Sequence, residues 1–464
     1  MSDPTVESPA PPRKRSMSRT AEVLFASGTI GNGLLPGFLV AWQLYYFVPT
    51  DKPALIPAYT IGAWVLGPAT IVGLVNLIGQ IVHSFADWGI GYASDRTRTR
   101  WGRRIPWIAI SAPICTIAFM AIWWPPSAGA GWINLAWLAA IRSIMWVAYT
   151  GAVGPYCSLL PEVTEPGAER NRIAAFMAFF EVTGTIMAGF VASKIIDAYP
   201  DGGTIAGFHL TDGYKFAAAC LSLISLTSMW ISIAVVREKP YDRSKEVPFG
   251  PVQSLAETLK NPSFRPYAVA FIAFRIALNA ILVVMPYQVS VLLRITDAES
   301  ATGNLQAVIV LGSILFFPLI DWLVNRGGKR RVMLWGFFGF AVAMAGGGLI
   351  GRLPFGSPVA QAYLVYGLCA FPVATLFMLP RPIMADIIDL DAARTGYRRE
   401  GIYNGAEGLL TKVAEGIGPF LAGALLDHFG STAANPTGVI LTAPVAGAIC
   451  LIGWLLFLRY PIKT

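Results

Sequence analysis

The stretch DWGIGYASDRTRTRWGRRIPW, residues Asp87–Trp107, decides the topology of this chain. It begins as an apolar segment with a single acid and then places five arginines between positions 96 and 104. Cationic side chains resist translocation across a bilayer, so a short loop that carries them between two apolar segments is expected to stay in the cytoplasm. The direction of every other apolar segment follows by counting from this loop.

The composition indicates a membrane protein. Of the 464 residues, 55% are hydrophobic and only 13% are charged, and the mean hydropathy is +0.57. A bilayer core of about 30 Å requires roughly 20 apolar residues per helix, and about twelve such runs follow one another along the chain. Transmembrane barrels show short alternating segments instead. The pattern therefore predicts an all-α membrane protein with twelve transmembrane helices.

A polar, proline-containing segment divides the predicted helices into two sets of six. The helices are expected near residues 21–48, 62–93, 106–126, 132–160, 172–198, 212–236, 264–293, 300–325, 332–352, 358–390, 402–428 and 436–460. Four parts result: a disordered cytoplasmic tail (1–20), a first six-helix bundle (21–236), a cytoplasmic linker (237–263) and a second six-helix bundle (264–464). In the linker, Val252, Leu255 and Leu259 recur at helical spacing, which fits either a surface helix or a partly ordered loop.

Charge and cysteine usage exclude several classes of function. The net charge of +8 comes from short loops between apolar runs, not from one basic face, so a nucleic-acid partner is not expected. The five cysteines lie inside apolar runs without metal-ligand spacing and are interpreted as small core residues. No nucleophile elbow, zinc motif or phosphate loop occurs in the sequence. We therefore expect no enzyme activity, no cofactor and no metal site.

The two sets of helices share a feature at matching positions. SDRTRTRWGRR follows the second predicted helix, and VNRGGKRR, Val324–Arg331, follows the eighth. A basic turn repeated in two six-helix halves indicates a duplicated transporter architecture, in which the substrate path lies between the repeats near the membrane midplane.

Four stretches resemble one transporter family. GYASDRTRTRWGRR, Gly91–Arg104, resembles the signature between helices 2 and 3 of the major facilitator superfamily, in the form used by the glycoside-pentoside-hexuronide:cation symporters, which include the melibiose permeases. The stretches Pro155–Thr164, Glu257–Tyr267 and Ala385–Gly405 are similar to later segments of that family. The resemblance implies two pseudo-symmetric six-helix bundles that rock about a central cavity, in alternating access.

The basic motif also predicts a cytoplasmic gate. Asp95 at the end of helix 2 is placed to cap a neighbouring helix N-terminus, which in the family is typically that of helix 11. The gate would then close through ion pairs between the halves, and its predicted members are Asp95, Arg96, Arg103, Arg104, Asp386 and Asp389, with Asp391 as a further acid. The alternative is that these arginines set topology alone.

Ionisable side chains inside apolar helices are costly and usually face a cavity or one another. The candidates are His83, Asp87, Arg142, Glu181, Arg275, Glu407, Lys412 and Glu415. Arg142 and Glu181 are predicted at similar depths of roughly 15 Å, so we expect their head groups to be in contact, either for substrate binding or for mutual neutralisation.

The resemblance places Asp87 and Lys412 at the family's cation site. The family's other acids there correspond to His83 and Val153, so a sodium ion would have only one carboxylate. Sodium needs several oxygen ligands, whereas an imidazole has an unperturbed pKa of about 6.5 and exchanges protons near neutral pH. We therefore expect proton coupling through Asp87 with His83, governed by Lys412. The alternative is a permanent Asp87–Lys412 ion pair in a uniporter.

The predicted substrate site combines these charges with a polar face of helix 11. Its residues are Arg142, Glu181, Arg275, Tyr156, Asn404, Thr411, Glu415 and Trp42. The two aromatic rings would stack on a sugar; the alternative is that they serve helix packing or an interfacial belt, which use such residues more often. The family's sugar-binding acid and its helix 5 arginine fall near Asn32 or Gly33 and near Ala178, so a melibiose-type sugar site is not expected.

These observations favour a cation-coupled symporter of a glycoside or similar polar organic solute, located in the plasma (inner) membrane with both termini in the cytoplasm. One alternative is a carrier of lysolipid-like amphiphiles on the same fold, and another is a non-transporting receptor or scaffold. The expected partners are a small-molecule substrate, a coupling cation, with the proton favoured over sodium, and the lipid bilayer.

Overall fold

The computed structural model describes residues 17–61, 64–164, 168–205, 207–236, 238, 258, 260–395 and 400–461. Most of the predicted tail and linker, including the predicted surface helix, lies outside these residues. Within them, eleven helices are long and apolar enough to cross a membrane. A twelfth of 19 residues, Lys329–Gly347, begins with three consecutive basic residues. The all-α architecture predicted from the sequence is confirmed.

We call the twelve helices spans 1 to 12. Their bounds are Arg19–Phe47, Pro68–Arg96, Ile105–Ile122, Trp132–Val163, Ala168–Ala198, Gly213–Ala234, Phe264–Leu293, Ala298–Gly327, Lys329–Gly347, Pro358–Arg394, Glu400–Phe429 and Thr437–Phe457. Span 1 contains a 3-10 turn at Ser27–Thr29, and spans 5 and 7 contain π-helical segments at Met187–Val191 and Gln288–Leu293. Spans 1 to 6 form the first half of the molecule, and spans 7 to 12 form the second.

Two short antiparallel hairpins were not predicted. Strand β1, Tyr59–Ile61, pairs with β2, Trp64–Leu66, and β3, Gly203–Ile205, pairs with β4, Phe208–Leu210. The first hairpin occupies the predicted start of helix 2. Span 2 instead begins at Pro68, because proline is well suited to the first turn of a helix.

The molecule has two distinct ends. Arg96–Arg104 lie at one, which we call the motif end, and both hairpins lie at the other, which we call the far end. A core cluster with Phe274, Phe337 and Phe340 belongs to the second half alone, whereas a cluster with Trp123 and Tyr287 contains residues of both halves. The halves therefore share a hydrophobic core toward the far end.

Spans 2 and 11 pack closely across the halves at the far end. A Cβ atom on Gly73 would lie 2.5 Å from the Cα atom of Phe420, and one on Gly423 would lie 2.2 Å from the carbonyl oxygen of Ala69. These glycines allow the two backbones to approach more closely than any side chain would permit.

Candidate functional site: a cavity between the halves

A cavity of about 810 Å³ lies between the two halves. Spans 1, 2, 4, 5, 7, 8, 10 and 11 all contribute to its lining. The cavity reaches from the level of Arg142, inside span 4, to Ser94 and Arg104 at the motif end. Polar and charged side chains are concentrated on its walls, as expected for a solute path within a membrane.

Contacts between the halves close the far end. The Tyr287 hydroxyl donates to the carbonyl oxygen of Val48 at 2.6 Å, and the Tyr214 hydroxyl donates to Glu299 at 3.0 Å. The Tyr45 and Tyr287 rings meet edge to face, 5.2 Å apart. The structure is therefore open at the motif end and closed at the far end.

The three residues predicted to couple transport to a cation lie together in the cavity. Lys412 of span 11 forms an ion pair with Asp87 of span 2, which joins the two halves. Asp87 also accepts a hydrogen bond from the Thr150 hydroxyl at 2.9 Å, and its Oδ1 atom lies 3.7 Å from Nε2 of His83. The His83 ring stacks on Trp146 with centroids 4.3 Å apart.

Other charges of the cavity are paired within the second half. Arg275 of span 7 forms an ion pair with Glu415 of span 11, and the Tyr267 hydroxyl donates to Glu407. Glu407 was recognised in the sequence only as an ionisable residue, without a role, and its partner Tyr267 was not anticipated.

The predicted contact between Arg142 and Glu181 is wrong. Within the described part of the chain, Arg142 donates its hydrogen bond to Oε1 of Gln43 in span 1 and forms no ion pair with Glu181. The two residues have similar predicted depths, but they face different neighbours. Equal depth therefore did not imply contact.

The polar face predicted on helix 11 lines the cavity. Asn404, Thr411, Lys412 and Glu415 all contribute to its wall. Their spacing of seven, one and three residues keeps them on one side of the helix. The roles of these side chains in substrate binding stay predictions.

The two aromatic residues predicted to stack on a sugar are elsewhere. Trp42 and Tyr156 are fully buried inside the first half. The Trp42 indole donates to the carbonyl oxygen of Ala188 at 2.9 Å, and the Tyr156 hydroxyl donates to that of Phe25 at 2.6 Å. Both side chains hold helices of the first half together, so neither ring has the predicted position for stacking on a sugar in the cavity.

The predicted gate residues are largely engaged within their own halves. Arg103 and Arg104 contact Glu162 at 2.6 Å and 3.3 Å, and the backbone N–H of Arg104 donates to Glu238 at 2.8 Å. Asp386, expected to meet an arginine of the first half, pairs instead with Lys329 of the second half at 2.7 Å. The cavity reaches this end of the molecule, where Ser94 and Arg104 are part of its lining.

The remaining gate candidates lie at the same end. The Arg96 guanidinium lies over the Tyr92 ring, 3.9 Å from its centroid. Asp389 lies on span 10, and the side chain of Asp95 falls outside the described part of the structure. The gate therefore stays a prediction.

Several cavity residues were missed by the sequence reasoning. Asn76 and Gln80 precede His83 and Asp87 on span 2 and line the same wall. The four follow at intervals of four, three and four residues, which is the spacing of one helical face, so this signal was present in the sequence. Trp146, beside them on span 4, gave no comparable signal.

Twelve membrane spans in two halves around a polar cavity define a transporter of the major facilitator fold. The chain belongs to the MFS/sugar transport protein family, whose model matches residues 64–464. It is 23% identical to the sodium-dependent lysophosphatidylcholine symporter 1 of Xenopus tropicalis, over 85% of this chain and 81% of that protein. It is 25% identical to the isoprimeverose transporter of Lactiplantibacillus pentosus, over 79% and 74% respectively.

A solved structure shares the fold. The inward-facing, unoccupied form of a bacterial homologue of the human lysosomal transporter Spinster superposes with a TM-score of 0.68 at 13% identity, covering 96% of this chain and 98% of that one. The protein is thus an integral membrane transporter and not an enzyme, and its relatives include transporters of different solutes.

Proposed function

We propose that the protein is a secondary active symporter, which moves a polar organic solute together with a proton by alternating access. The observation that carries this proposal is the Asp87–Lys412 ion pair, which joins the two halves inside the cavity with His83 beside it. A charge that links two moving bodies is suited to couple ion binding to their movement.

Proton transfer to Asp87 would remove its negative charge and with it the attraction to Lys412. The tie between spans 2 and 11 would then weaken, so the energies of the two conformations would depend on whether the proton is bound. A ligand shifts such an equilibrium only by its difference in affinity for the two states, and this ion pair supplies that difference.

The surroundings of Asp87 favour a proton over sodium. Its neighbours are the Lys412 ammonium, the His83 imidazole and the Thr150 hydroxyl, so Thr150 offers the only additional oxygen among these three. Hard cations prefer several oxygen ligands, and an ammonium in contact with the same carboxylate opposes a second cation. Sodium is the competing ion, because one relative is named a sodium-dependent symporter.

The proposal also fixes an orientation. The motif end, rich in arginine, would face the cytoplasm, both termini would lie there, and the membrane would be the plasma (inner) membrane. The conformation described above would then be inward-open. The predicted parts 1–20, 21–236, 237–263 and 264–464 are retained as the proposed tail, moving bundles and linker.

A test uses the full chain reconstituted in proteoliposomes. Radiolabelled mono- and disaccharides and lysophosphatidylcholine are offered under an imposed proton gradient without sodium. We expect one solute to accumulate, a protonophore to abolish accumulation, and Asp87→Asn to abolish it while exchange of the solute across the membrane persists. Sodium-dependent accumulation that survives His83→Ala would assign sodium instead, and gradient-independent equilibration would indicate a uniporter.

An amphiphile is the second candidate solute. Part of the cavity wall is apolar, with Val40, Leu278, Leu282, Val310 and Phe377 in the lining. A relative is named for lysophosphatidylcholine. The same proteoliposome experiment separates the two candidates, because accumulation of labelled lysolipid without accumulation of any sugar would select the amphiphile.

A further inference from the structure

Among the described residues, Arg142 is a cavity-lining cation without an acidic partner. Its side chain is 96% buried, and within the described residues its hydrogen bond goes to the neutral amide of Gln43. Two other cations of the cavity are paired with carboxylates: Lys412 with Asp87, and Arg275 with Glu415. A buried guanidinium without a counter-charge is unfavourable, and inside a membrane it usually marks a ligand path.

Three donors around Arg142 also lack acceptors. They are Nε of Arg142, Nε2 of Gln43 and Nε1 of Trp146, each buried and without a hydrogen-bond partner among the described residues. The exposed fractions of Gln43 and Trp146 are 0% and 2%. Buried polar groups are nearly always paired in native structures, so a cluster of three unpaired donors indicates a missing acceptor.

The donors are held in place by packing. The Arg142 guanidinium lies 5.7 Å from the centre of the Trp146 ring, which in turn stacks on His83. Gly79 of span 2 makes room for Arg142, because a Cβ atom there would lie 3.1 Å from Nε. Arg142 and Trp146 line the cavity, so they lie beside a solute that enters it.

An unpaired acceptor lies on the adjoining wall. Oδ1 of Asn76 is buried without a hydrogen-bond partner, and Asn76 also lines the cavity. A ligand that brought acceptors and a negative charge to Arg142 and a hydroxyl to Asn76 would satisfy all of these groups. A neutral sugar would supply acceptors but would leave the charge of Arg142 uncompensated.

We propose that Arg142, with Gln43 and Trp146, forms a subsite for an oxyanionic group of the solute: a carboxylate, phosphate or sulfate. The planar guanidinium suits such a group, because it presents parallel donors to two oxygens at once. This inference rests on the proposed transport function and narrows its solute to an acidic one. Glu181 does not supply the charge, since the hydrogen bond of Arg142 goes to Gln43 and, within the described residues, no ion pair joins Arg142 to Glu181.

The test measures binding to the purified full chain in nanodiscs by calorimetry, using two matched pairs of probes. Methyl β-glucuronide and methyl β-glucoside differ in a carboxylate, and lysophosphatidate and monoacylglycerol differ in a phosphate. We expect the anionic member of one pair to bind at least about tenfold tighter, which corresponds to about 1.4 kcal/mol. The pair that responds identifies the source of the oxyanion.

Variants assign the preference to the subsite. Arg142→Gln is expected to abolish it and Arg142→Lys to retain part of it, while Trp146→Phe removes one donor but keeps a ring against His83. Arg326→Gln is the matched control, because Arg326 lies over the Trp322 ring outside the cavity. If Arg142→Gln fails to fold, Trp146→Phe and Gln43→Leu must each reduce the preference at least threefold.

Equal binding of both members in both pairs would overturn the subsite, and so would an anion preference that Arg142→Gln leaves intact. Calorimetric binding needs no ion gradient. A failure of proton-driven uptake would therefore refute the proposed coupling without touching the subsite, and the two results can be told apart.

Discussion

The carboxylate of Asp427 accepts hydrogen bonds from both the backbone N–H and the hydroxyl of Thr70, each at 2.6 Å. Asp427 lies near the end of span 11, and Thr70 lies in the first turn of span 2. An acid of the second half thus caps a helix N-terminus of the first half, where free N–H groups and the helix dipole favour a negative charge. This contact helps to hold the far end closed.

Replacing Asp427 by Asn should loosen the far end. The change removes the charge, and a hydrogen bond to a charged group contributes about 1.5–3 kcal/mol, so the ratio of closed to open molecules should fall by roughly tenfold or more. The measurement is the labelling rate of a Ser290→Cys variant, at the far end of span 7, by a membrane-impermeant maleimide added from the far side. Asp297→Asn, on the loop at the same end, is the control, and equal labelling in both variants would exclude a closing role for Asp427.

A double-mutant cycle should reveal the coupling energy of Asp87 and Lys412. Either single change, Asp87→Asn or Lys412→Gln, leaves one charge without its partner, and we expect a loss of about 1–2 kcal/mol. The value is below that of a fully buried pair because Asp87 is 50% exposed to the cavity. The double variant should recover part of the loss in thermal unfolding. Strictly additive effects would show that the ion pair makes no contribution.

The close approach of spans 2 and 11 gives a matched pair of glycine variants. Gly73→Ala should destabilise the closed far end, because the added Cβ atom meets the Phe420 backbone at 2.5 Å. Gly89→Ala on the same span meets nothing within 4 Å and should be neutral or stabilising, by up to about 1 kcal/mol. Thermal stability and far-side labelling measure both effects. Similar behaviour of the two variants would contradict the packing described here.

Arg96 and Arg104 differ in their surroundings and should differ in effect. Arg104 contacts Glu162 and Ser94, so Arg104→Gln should lower the unfolding temperature through loss of contacts within the first half. Arg96 is exposed and lies over Tyr92, so Arg96→Gln should change stability by no more than about 0.5 kcal/mol. To complete the test, the accessibility of the cavity to a label added from the motif side is measured in both variants. A large and equal rise in accessibility in both variants would favour the predicted gate over the contacts within the half.

The sequence predicted the spans well because lipid imposes a length and a composition on every helix that crosses it. The meeting of His83, Asp87 and Lys412 was also predictable, from helical spacing on span 2 and from the family pairing of helices 2 and 11. Arg142 and Glu181 were misassigned because depth along a helix says nothing about direction around it.

Aromatic residues posed a different problem. Trp42 and Tyr156 were expected in the cavity, yet each turns its ring toward neighbouring helices of its own half and donates to a backbone carbonyl. Apolar helices offer nearly uniform hydrophobicity around their circumference, so the sequence contains little information on which side faces the cavity. The polar side chains of span 2 were an exception. Amides and acids are rare on this apolar helix, so those that recur at helical spacing indicate which face lies toward the cavity.

The π-helical segments at Met187–Val191 and Gln288–Leu293 change the side of the helix on which the later residues lie. Each wider turn accommodates an extra residue, so positions before and after it are out of step by about 100° relative to an uninterrupted α-helix. Just beyond the first segment, Lys194 donates to Ser300 of the other half. A regular α-helix of the same length would turn Lys194 by about 100° away from its partner, so the wider turn determines which side every later residue of span 5 presents.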